Sequence, residues 1–268
     1  MPMTTMTCSV PTENERVRDV GNFLAEYAAY LLGCGATCIR VEKNVRRMAV
    51  AFNVLCEVVI LPSHIQVAVR NASGDVNYQV TEHIRHTGIS FWLNTELSKL
   101  SWQVAEGKRD LAGAINRFRL LIKGSPTNRW AVLLLASAAN ASFCRLFGGD
   151  AVSMLIVFMA TLAGFFLKQV MQADKVDIRL TTLASAFFAS VIGASGYVFH
   201  WGDTPEVALG TSVLYLIPGI PYINSMSDLL DGHYVSFLGR VMQAIVLTVC
   251  ISLGLCGGLL LMNLKWFN

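Results

Sequence analysis

Helix-breaking residues interrupt one apolar stretch of the chain, Tyr215–Asn224. Pro218, Gly219 and Pro221 remove backbone hydrogen bonds from a predicted spanning helix. Unsatisfied backbone groups are tolerated inside a membrane only where protein or a wet cavity satisfies them. Counted from Val207, Pro218 lies about 18 Å along the helix, past the middle of a hydrocarbon core about 30 Å thick. The break therefore predicts a cavity.

Polar residues follow the break at helical spacing. A helix that restarts after Pro221 places Asn224, Asp228 and Asp231 on one face, because their spacings are four and three. An amide beside a carboxylate binds a hydroxyl or ammonium group, and Asp228 could instead take up a proton. The alternative is a kinked helix followed by a cytosolic loop with both aspartates solvated. The double-proline break favours the site.

Asn140 is a further polar residue in the apolar half, flanked by alanines and serines. A hydrogen bond between helices and a contact to substrate explain it equally well, and both stay open. Small residues recur at four-residue steps nearby and predict close helix packing, within the chain or in a homo-oligomer. They are Ala160 and Gly164, then Ser185, Ala189 and Gly193, then Gly254 and Gly258.

No pattern of residues supports an enzyme, a metal site or a cofactor. His83 and His86 could share a helical face beside Glu82, but no cysteine or second acidic cluster is near, so a solvated turn after a strand is preferred. Nucleophile elbows, phosphate-binding glycine loops and dinucleotide fingerprints are missing from the sequence. A net charge of +3, dispersed along the chain, excludes a nucleic-acid surface.

Composition divides the chain into two regions. Of its 268 residues 54% are hydrophobic and 15% charged, against about 25% charged in a soluble domain. Most of the charged residues, 25 of 39, precede Arg129, and the long apolar runs follow it. This predicts an α-helical membrane protein with a small N-terminal α+β cytosolic domain, 1–125, and a transmembrane helical domain, 126–268. About five transmembrane helices are expected, near 130–147, 151–168, 180–201, 207–223 and 241–264.

The N-terminal region reads as helices around a small antiparallel sheet. Apolar residues at three- and four-residue steps predict helices, whereas β-branched runs separated by turn residues predict strands. The expected helices are Glu13–Leu32, 37–52, Ile89–Glu106 and Asp110–Lys123, and the expected strands are Val54–Leu61, His64–Arg70 and Val76–Thr81.

Basic residues predict the orientation in the membrane. They precede the first spanning helix and recur in the second loop, whereas the third-to-fourth connection, 202–206, has none. Five crossings put the termini on opposite sides. The N-terminus is therefore expected in the cytoplasm, and the C-terminus in the periplasm or outside the cell.

Two segments resemble the signatures of the threonine/serine exporter family. Gly35–Glu42 resembles a glycine-alanine…Arg-Val-Glu signature, and Pro218–Asn224 with Asp228, Gly232 and His233 resembles a Pro-Gly…Pro…Asn…Asp…Gly signature. Segment order and length match over nearly the whole chain. The resemblance implies functional positions at Pro218, Gly219, Pro221, Asn224, Asp228 and Gly232, and at Arg40 and Glu42 in the cytosolic part.

The resemblance also implies a function. Long family members carry about ten helices, so this chain resembles the short branch, in which a larger subunit works with a small membrane subunit of about four helices and which is associated with succinate export. The expectation is gradient-driven export of a small carboxylate, a succinate-type dicarboxylate or threonine/serine, across a bacterial inner membrane. The rival is a membrane-anchored sensor or binding protein that acts through its cytosolic domain.

Overall fold

The computed structural model describes residues 13–71, 77–85, 88–124 and 128–262. They fall into two compact units. The first unit combines the described residues up to 124 with Ile220–Arg240, and the second combines those from 128 to Gly219 with those from Val241 onward. A segment from the C-terminal half of the chain therefore completes the N-terminal unit.

Four helices of the first unit agree with their predicted positions to within about two residues. They are α1 (Glu13–Gly33), α2 (Cys38–Ala51), α3 (Phe91–Ala105) and α4 (Leu111–Lys123). The side chains of Ser90 and Asp110 cap α3 and α4, accepting hydrogen bonds from the backbone of Leu93 and Gly113.

The sheet of this unit has three antiparallel strands in the order β1-β2-β3. The strands are β1 (Val54–Ile60), β2 (His64–Asn71) and β3 (Asn77–His83). Val58 pairs with Val67, which pairs with Val80 on the other side. The predicted small antiparallel sheet is confirmed, except that Val76, the expected start of β3, lies outside the described residues.

Large side chains fill the core of the first unit. Phe118 is fully buried, with the rings of Phe23, Tyr27 and Tyr30 around it at centroid distances of 5.9, 6.2 and 5.5 Å. The Tyr27 hydroxyl donates to the carbonyl of Leu97 at 2.8 Å. Burial raises the pKa of Tyr27 far above its ordinary value, so the hydroxyl stays a neutral donor.

Two later helices contribute to the first unit. They are α9 (Gly219–Leu230) and the first turns of α10 (Tyr234–Leu261). The Ser236 hydroxyl donates to the carbonyl of Ile60 at 3.4 Å. A Cβ added at Gly239 would lie 3.0 Å from the ring of Pro62, so α10 packs closely on the β1–β2 turn.

The second unit is helical. It contains α5 (Arg129–Leu146), α6 (Ala151–Ala173), α7 (Ile178–Val198), the short α8 (Pro205–Thr211), a 3₁₀ turn at Leu214–Leu216 and the rest of α10. Side chains of Asn128, Asp150 and Asp177 accept hydrogen bonds from the first turns of α5, α6 and α7.

Small residues let these helices approach one another. A Cβ at Gly254 of α10 would lie 2.5 Å from the carbonyl oxygen of Leu183 and 2.8 Å from Ala186 on α7. A Cβ at Gly164 of α6 would lie 3.0 Å from the carbonyl oxygen of Ser185 on α7. The predicted close packing at small residues is confirmed within the chain.

Three of the described helices, α6, α7 and α10, are long and apolar enough to cross a membrane. The pair of α8 with its 3₁₀ turn and α9, bent at the break before Gly219, makes a fourth if it forms one span. The predicted class, a helical membrane protein with a small N-terminal sheet, agrees with the structure. The count of about five spans stays a prediction.

Candidate functional site

The start of α2 is capped by a residue distant in sequence. Thr37 occupies the N-cap position, yet its side chain makes no capping hydrogen bond. Instead the backbone N–H of Cys38 donates to Oδ1 of Asp228 at 3.0 Å, across 190 positions of sequence. The first N–H groups of a helix lack partners in the helix, so a carboxylate there accepts a hydrogen bond from one of them. Its negative charge also interacts favourably with the positive end of the helix dipole.

Asp228 is fully buried and paired with an arginine. Its Oδ2 lies 3.3 Å from Nε of Arg240, an ion pair without hydrogen-bond geometry. Nη2 of Arg240 donates to the carbonyl of Ala36 at 2.8 Å. A buried carboxylate is costly unless it is paired, and here the Arg240 guanidinium and the α2 N-terminus supply the compensating positive charge.

Asn224 binds the same segment from one turn earlier on α9. Its Nδ2 donates to the carbonyl of Gly35 at 2.8 Å. Gly35 has a φ of +95°, which favours glycine, and its Cα faces the side chain of Ile89. We call the Gly35–Cys38 backbone with the side chains of Asn224, Asp228 and Arg240 the Asp228 clamp.

The remaining family positions lie close to the clamp in sequence but have other partners. Glu42, one turn after Cys38 on α2, lies 3.5 Å from Nε2 of His233. Gly232 ends α9 with a φ of +84°, and the backbone N–H of His233 donates to the carbonyl of Asp228 at 2.8 Å. This arrangement is typical of a glycine C-cap.

Arg40 points to a different element than Glu42. Its Nη1 donates to Oδ1 of Asn94 on α3 at 2.9 Å. Two residues that are two positions apart on a helix do not face each other. Arg40 therefore joins α2 to α3, while Glu42 joins α2 to the α9–α10 turn.

Two buried thiols flank the clamp. Burial raises the pKa of Cys38 to about 12 and that of Cys34 to about 11. Both therefore stay neutral thiols at neutral pH. Their contribution here is a small apolar surface beside the α2 N-terminus.

The predicted helix break at Pro218 is confirmed. Pro218 is buried, and along the chain it lies between the 3₁₀ turn and α9, whose first residue is Gly219. Pro221 lies in the first turn of α9, where a missing backbone N–H costs no helical hydrogen bond. It therefore helps to start α9, and the break itself lies at Pro218.

Asn140 lies on α5 in the second unit. It is buried, and its Nδ2 donates to Oγ1 of Thr161 at 2.7 Å and to the carbonyl of Thr211 at 3.1 Å. Both partners lie on other helices, α6 and α8. The amide nitrogen thus joins three helices, which agrees with the interhelical hydrogen-bonding alternative.

The described residues do not bring together the metal-site candidate of Glu82, His83 and His86. Glu82 and His83 are the last residues of β3, and His86 lies outside the described residues. His83 faces His64 across the strand pair, with ring centroids 4.9 Å apart. No three histidine, cysteine or carboxylate residues of the described ranges come together in a metal-binding arrangement.

The sequence reasoning missed Arg240, and it included His233 in a signature without assigning it a role. It started the last helix at Val241, whereas α10 begins at Tyr234 and includes Arg240. The available signal was the isolated arginine just before the longest apolar run, since a charge at that place needs a partner. The two signature segments, treated separately from sequence, meet in one clamp within the first unit.

Known proteins resemble the chain over most of its length. A family model described as "Putative threonine/serine exporter" matches residues 22–262. A protein of Klebsiella aerogenes named "Probable succinate transporter subunit YjjP" is 26% identical over 251 residues, 92% of this chain and 96% of the relative. An Escherichia coli protein of the same name is 28% identical over 181 residues, 66% of this chain and 70% of the relative.

No solved structure matches the chain significantly. The family match covers most of both compact units and includes every residue of the Asp228 clamp. Together with the apolar helices, it identifies a multi-pass membrane transporter. The chain belongs to the threonine/serine exporter family.

Proposed function

We propose that the chain is the larger subunit of an exporter that carries a small carboxylate from the cytosol across a bacterial inner membrane. The cargo is a succinate-type dicarboxylate or threonine/serine, and a proton or ion gradient drives export. The observation that carries the proposal is the Asp228 clamp. In a chain of an exporter family, a helix N-terminus and Arg240 together hold a buried carboxylate.

The substrate path is proposed to use the break before α9. Pro218, Gly219 and Pro221 shape the break, and Asn224 and Asp228 follow on α9. In many transporters, interrupted helices of this kind bind anionic groups at the N-terminal ends of their half-helices. Asn140 is included as a path residue of the second unit, although its amide nitrogen already has two protein partners.

Charge repulsion supports a role for protons. A dianion beside an ionised Asp228 is repelled, and a proton on Asp228 removes that repulsion. Uptake of the proton and binding of the substrate would then be coupled at one carboxylate. A transport rate that is independent of the proton gradient and unchanged in Asp228→Asn would contradict this coupling.

In the proposed orientation the N-terminus is cytoplasmic and the C-terminus is periplasmic or extracellular. The region 1–125 is then cytosolic, and about five helices cross the membrane between 126 and 268. A second, small membrane subunit of the same family completes the exporter. The word "subunit" in the names of both relatives supports the partner, and self-association of the chain is open to the same test.

The test is efflux of labelled succinate and labelled threonine from cells that express the chain with and without the small subunit. Asp228→Asn is the test variant, and Asp231→Asn is its matched control. The sequence placed Asp231 on the same helical face as Asp228, but in the structure it is exposed just after α9 and accepts a hydrogen bond from Ser227. We expect efflux of one substrate, lost in Asp228→Asn and retained in Asp231→Asn. Membrane fractions are blotted to verify that each variant inserts.

The rival function is a membrane-anchored sensor or binding protein that acts through its cytosolic domain. It predicts no efflux of either substrate from inserted chain with the small subunit present. It also predicts that damaging substitutions concentrate before Lys123. That pair of results would replace the exporter proposal.

A further inference from the structure

The Asp228 carboxylate is incompletely bonded for a buried charge. None of its surface is exposed, and Oδ1 accepts a hydrogen bond from the backbone N–H of Cys38, whose thiol also lies against the carboxylate. Oδ2 accepts no hydrogen bond from the described residues and has only the ion pair with Arg240 at 3.3 Å. A carboxylate offers about four acceptor positions. Asp228 therefore occupies its site without filling its hydrogen-bonding capacity.

The groups that hold Asp228 are those that bind free carboxylates. Backbone N–H groups at a helix N-terminus and an arginine guanidinium are both general anion ligands. Arg240 is fixed by its hydrogen bond to Ala36, and the Gly35 carbonyl is fixed by Asn224. Neither of these two contacts is made through Asp228.

The positive groups around the site surround a position for one anion. Arg240 on α10 and the α2 N-terminus are positive, and Asp228 on α9 is the negative group between them. Glu42 lies one turn further along α2 and is paired with His233. If Asp228 is neutral or turned away, the site has a net positive charge, which favours an entering carboxylate.

We propose that the Cys38 N–H and the Arg240 guanidinium form the binding site for the carboxylate of the exported substrate, with Asp228 as an internal competitor for it. The inference rests on the proposed export function and names the groups that bind its cargo. A substrate carboxylate enters as Asp228 leaves, and Asp228 returns when the substrate is released.

Competition predicts opposite effects for the two partners of one ion pair. Removing Arg240 deletes a ligand of the substrate and weakens binding. Removing the charge of Asp228 deletes the competitor and strengthens binding. If the pair only holds the fold together, loss of either partner damages the site, and both substitutions weaken binding.

The experiment measures binding of labelled succinate and of labelled threonine to the purified full-length chain with its small subunit. We expect Arg240→Gln to weaken binding about tenfold or more, as for a lost charge-assisted hydrogen bond. Asp228→Asn should tighten binding severalfold, and Asp231→Asn should leave it unchanged. Unlabelled succinamide, the neutral diamide, should not compete. Size-exclusion profiles check that each variant is folded.

A backbone substitution tests the Cys38 donor without changing any charge. Cys38 is the first residue of α2, where proline is well tolerated, and Thr37 has the extended φ and ψ of −76° and 155° that precede proline. Cys38→Pro removes the N–H, whereas Cys38→Ala keeps it. We expect severalfold weaker binding in the proline variant than in the alanine variant.

The outcomes separate this inference from the export function. Succinate or threonine efflux without opposite effects of Arg240→Gln and Asp228→Asn on binding overturns the inference and leaves the exporter standing. Equal affinity of the Cys38→Pro and Cys38→Ala variants also overturns it. If the wild type neither exports nor binds either compound, both the inference and the exporter proposal are overturned.

Discussion

The two compact units bury different kinds of side chain. The largest fully buried side chains, including Tyr27, Phe118 and Leu97, lie in the first unit, whereas alanines and serines such as Ala189 and Ser185 make much of the buried surface of the second. In the second unit many large apolar side chains point outward instead. Examples are Leu135, Leu155, Phe188, Leu253 and Leu260.

The proposed locations of the two units, one in the cytosol and one in the membrane, account for the difference. A unit surrounded by water gains stability by removing large apolar surfaces from the solvent. In lipid, apolar surface has no such preference, and helices associate where small residues allow close approach and polar residues bond across the interface. The two units should therefore respond in opposite ways to truncation and to enlargement of their side chains.

The largest effect is expected from Phe118→Ala in the first unit. The ring is fully buried among three aromatic neighbours, and its loss should cost about 3 to 5 kcal/mol. Hydrogen exchange of peptides from α1 and α4, measured by mass spectrometry, reports the local free energy of opening. Leu120→Ala on the exposed side of α4 is the control, and equal exchange in both variants would contradict a core role.

Enlargement should damage the second unit. In Gly254→Ala the added Cβ lies 2.5 Å from the backbone carbonyl of Leu183, which has little room to move. A cost of about 1 to 3 kcal/mol is expected from such overpacking, measured as thermal unfolding of the purified protein in detergent. Gly210→Ala on α8 is the matched control, because a Cβ there meets nothing within 4 Å. Equal melting temperatures of the two variants would refute the packing.

The sequence predicted the elements of the first unit better than their assembly. Local periodicity sets where α1 and α4 begin and end, because each helix needs an apolar face at three- and four-residue steps. The Asp228–Cys38 contact spans 190 positions, and no local pattern encodes which distant carboxylate caps α2. The break at Pro218 was predictable because proline acts on its own backbone.

Asn140→Ala should have a moderate effect. Its amide nitrogen bonds to Thr161 and to the backbone of Thr211, and hydrogen bonds between membrane helices are worth about 0.6 to 1.7 kcal/mol. Ser142→Ala on the same helix is the control, since Ser142 bonds only to its own helix among the described contacts. Melting in detergent measures the loss. Efflux that falls while stability holds would make Asn140 a path residue instead.

The smallest effect is expected from Leu253→Ala on α10. This leucine is 59% exposed, and in the membrane its side chain contacts lipid whether or not the helices are assembled. Truncation should therefore change the unfolding free energy by less than about 0.5 kcal/mol, the range of ordinary surface substitutions. A loss comparable to that of Phe118→Ala would mean that Leu253 is covered in the assembled exporter. The small membrane subunit or a second copy of the chain would be the covering surface, and repeating the measurement with and without the small subunit would separate the two.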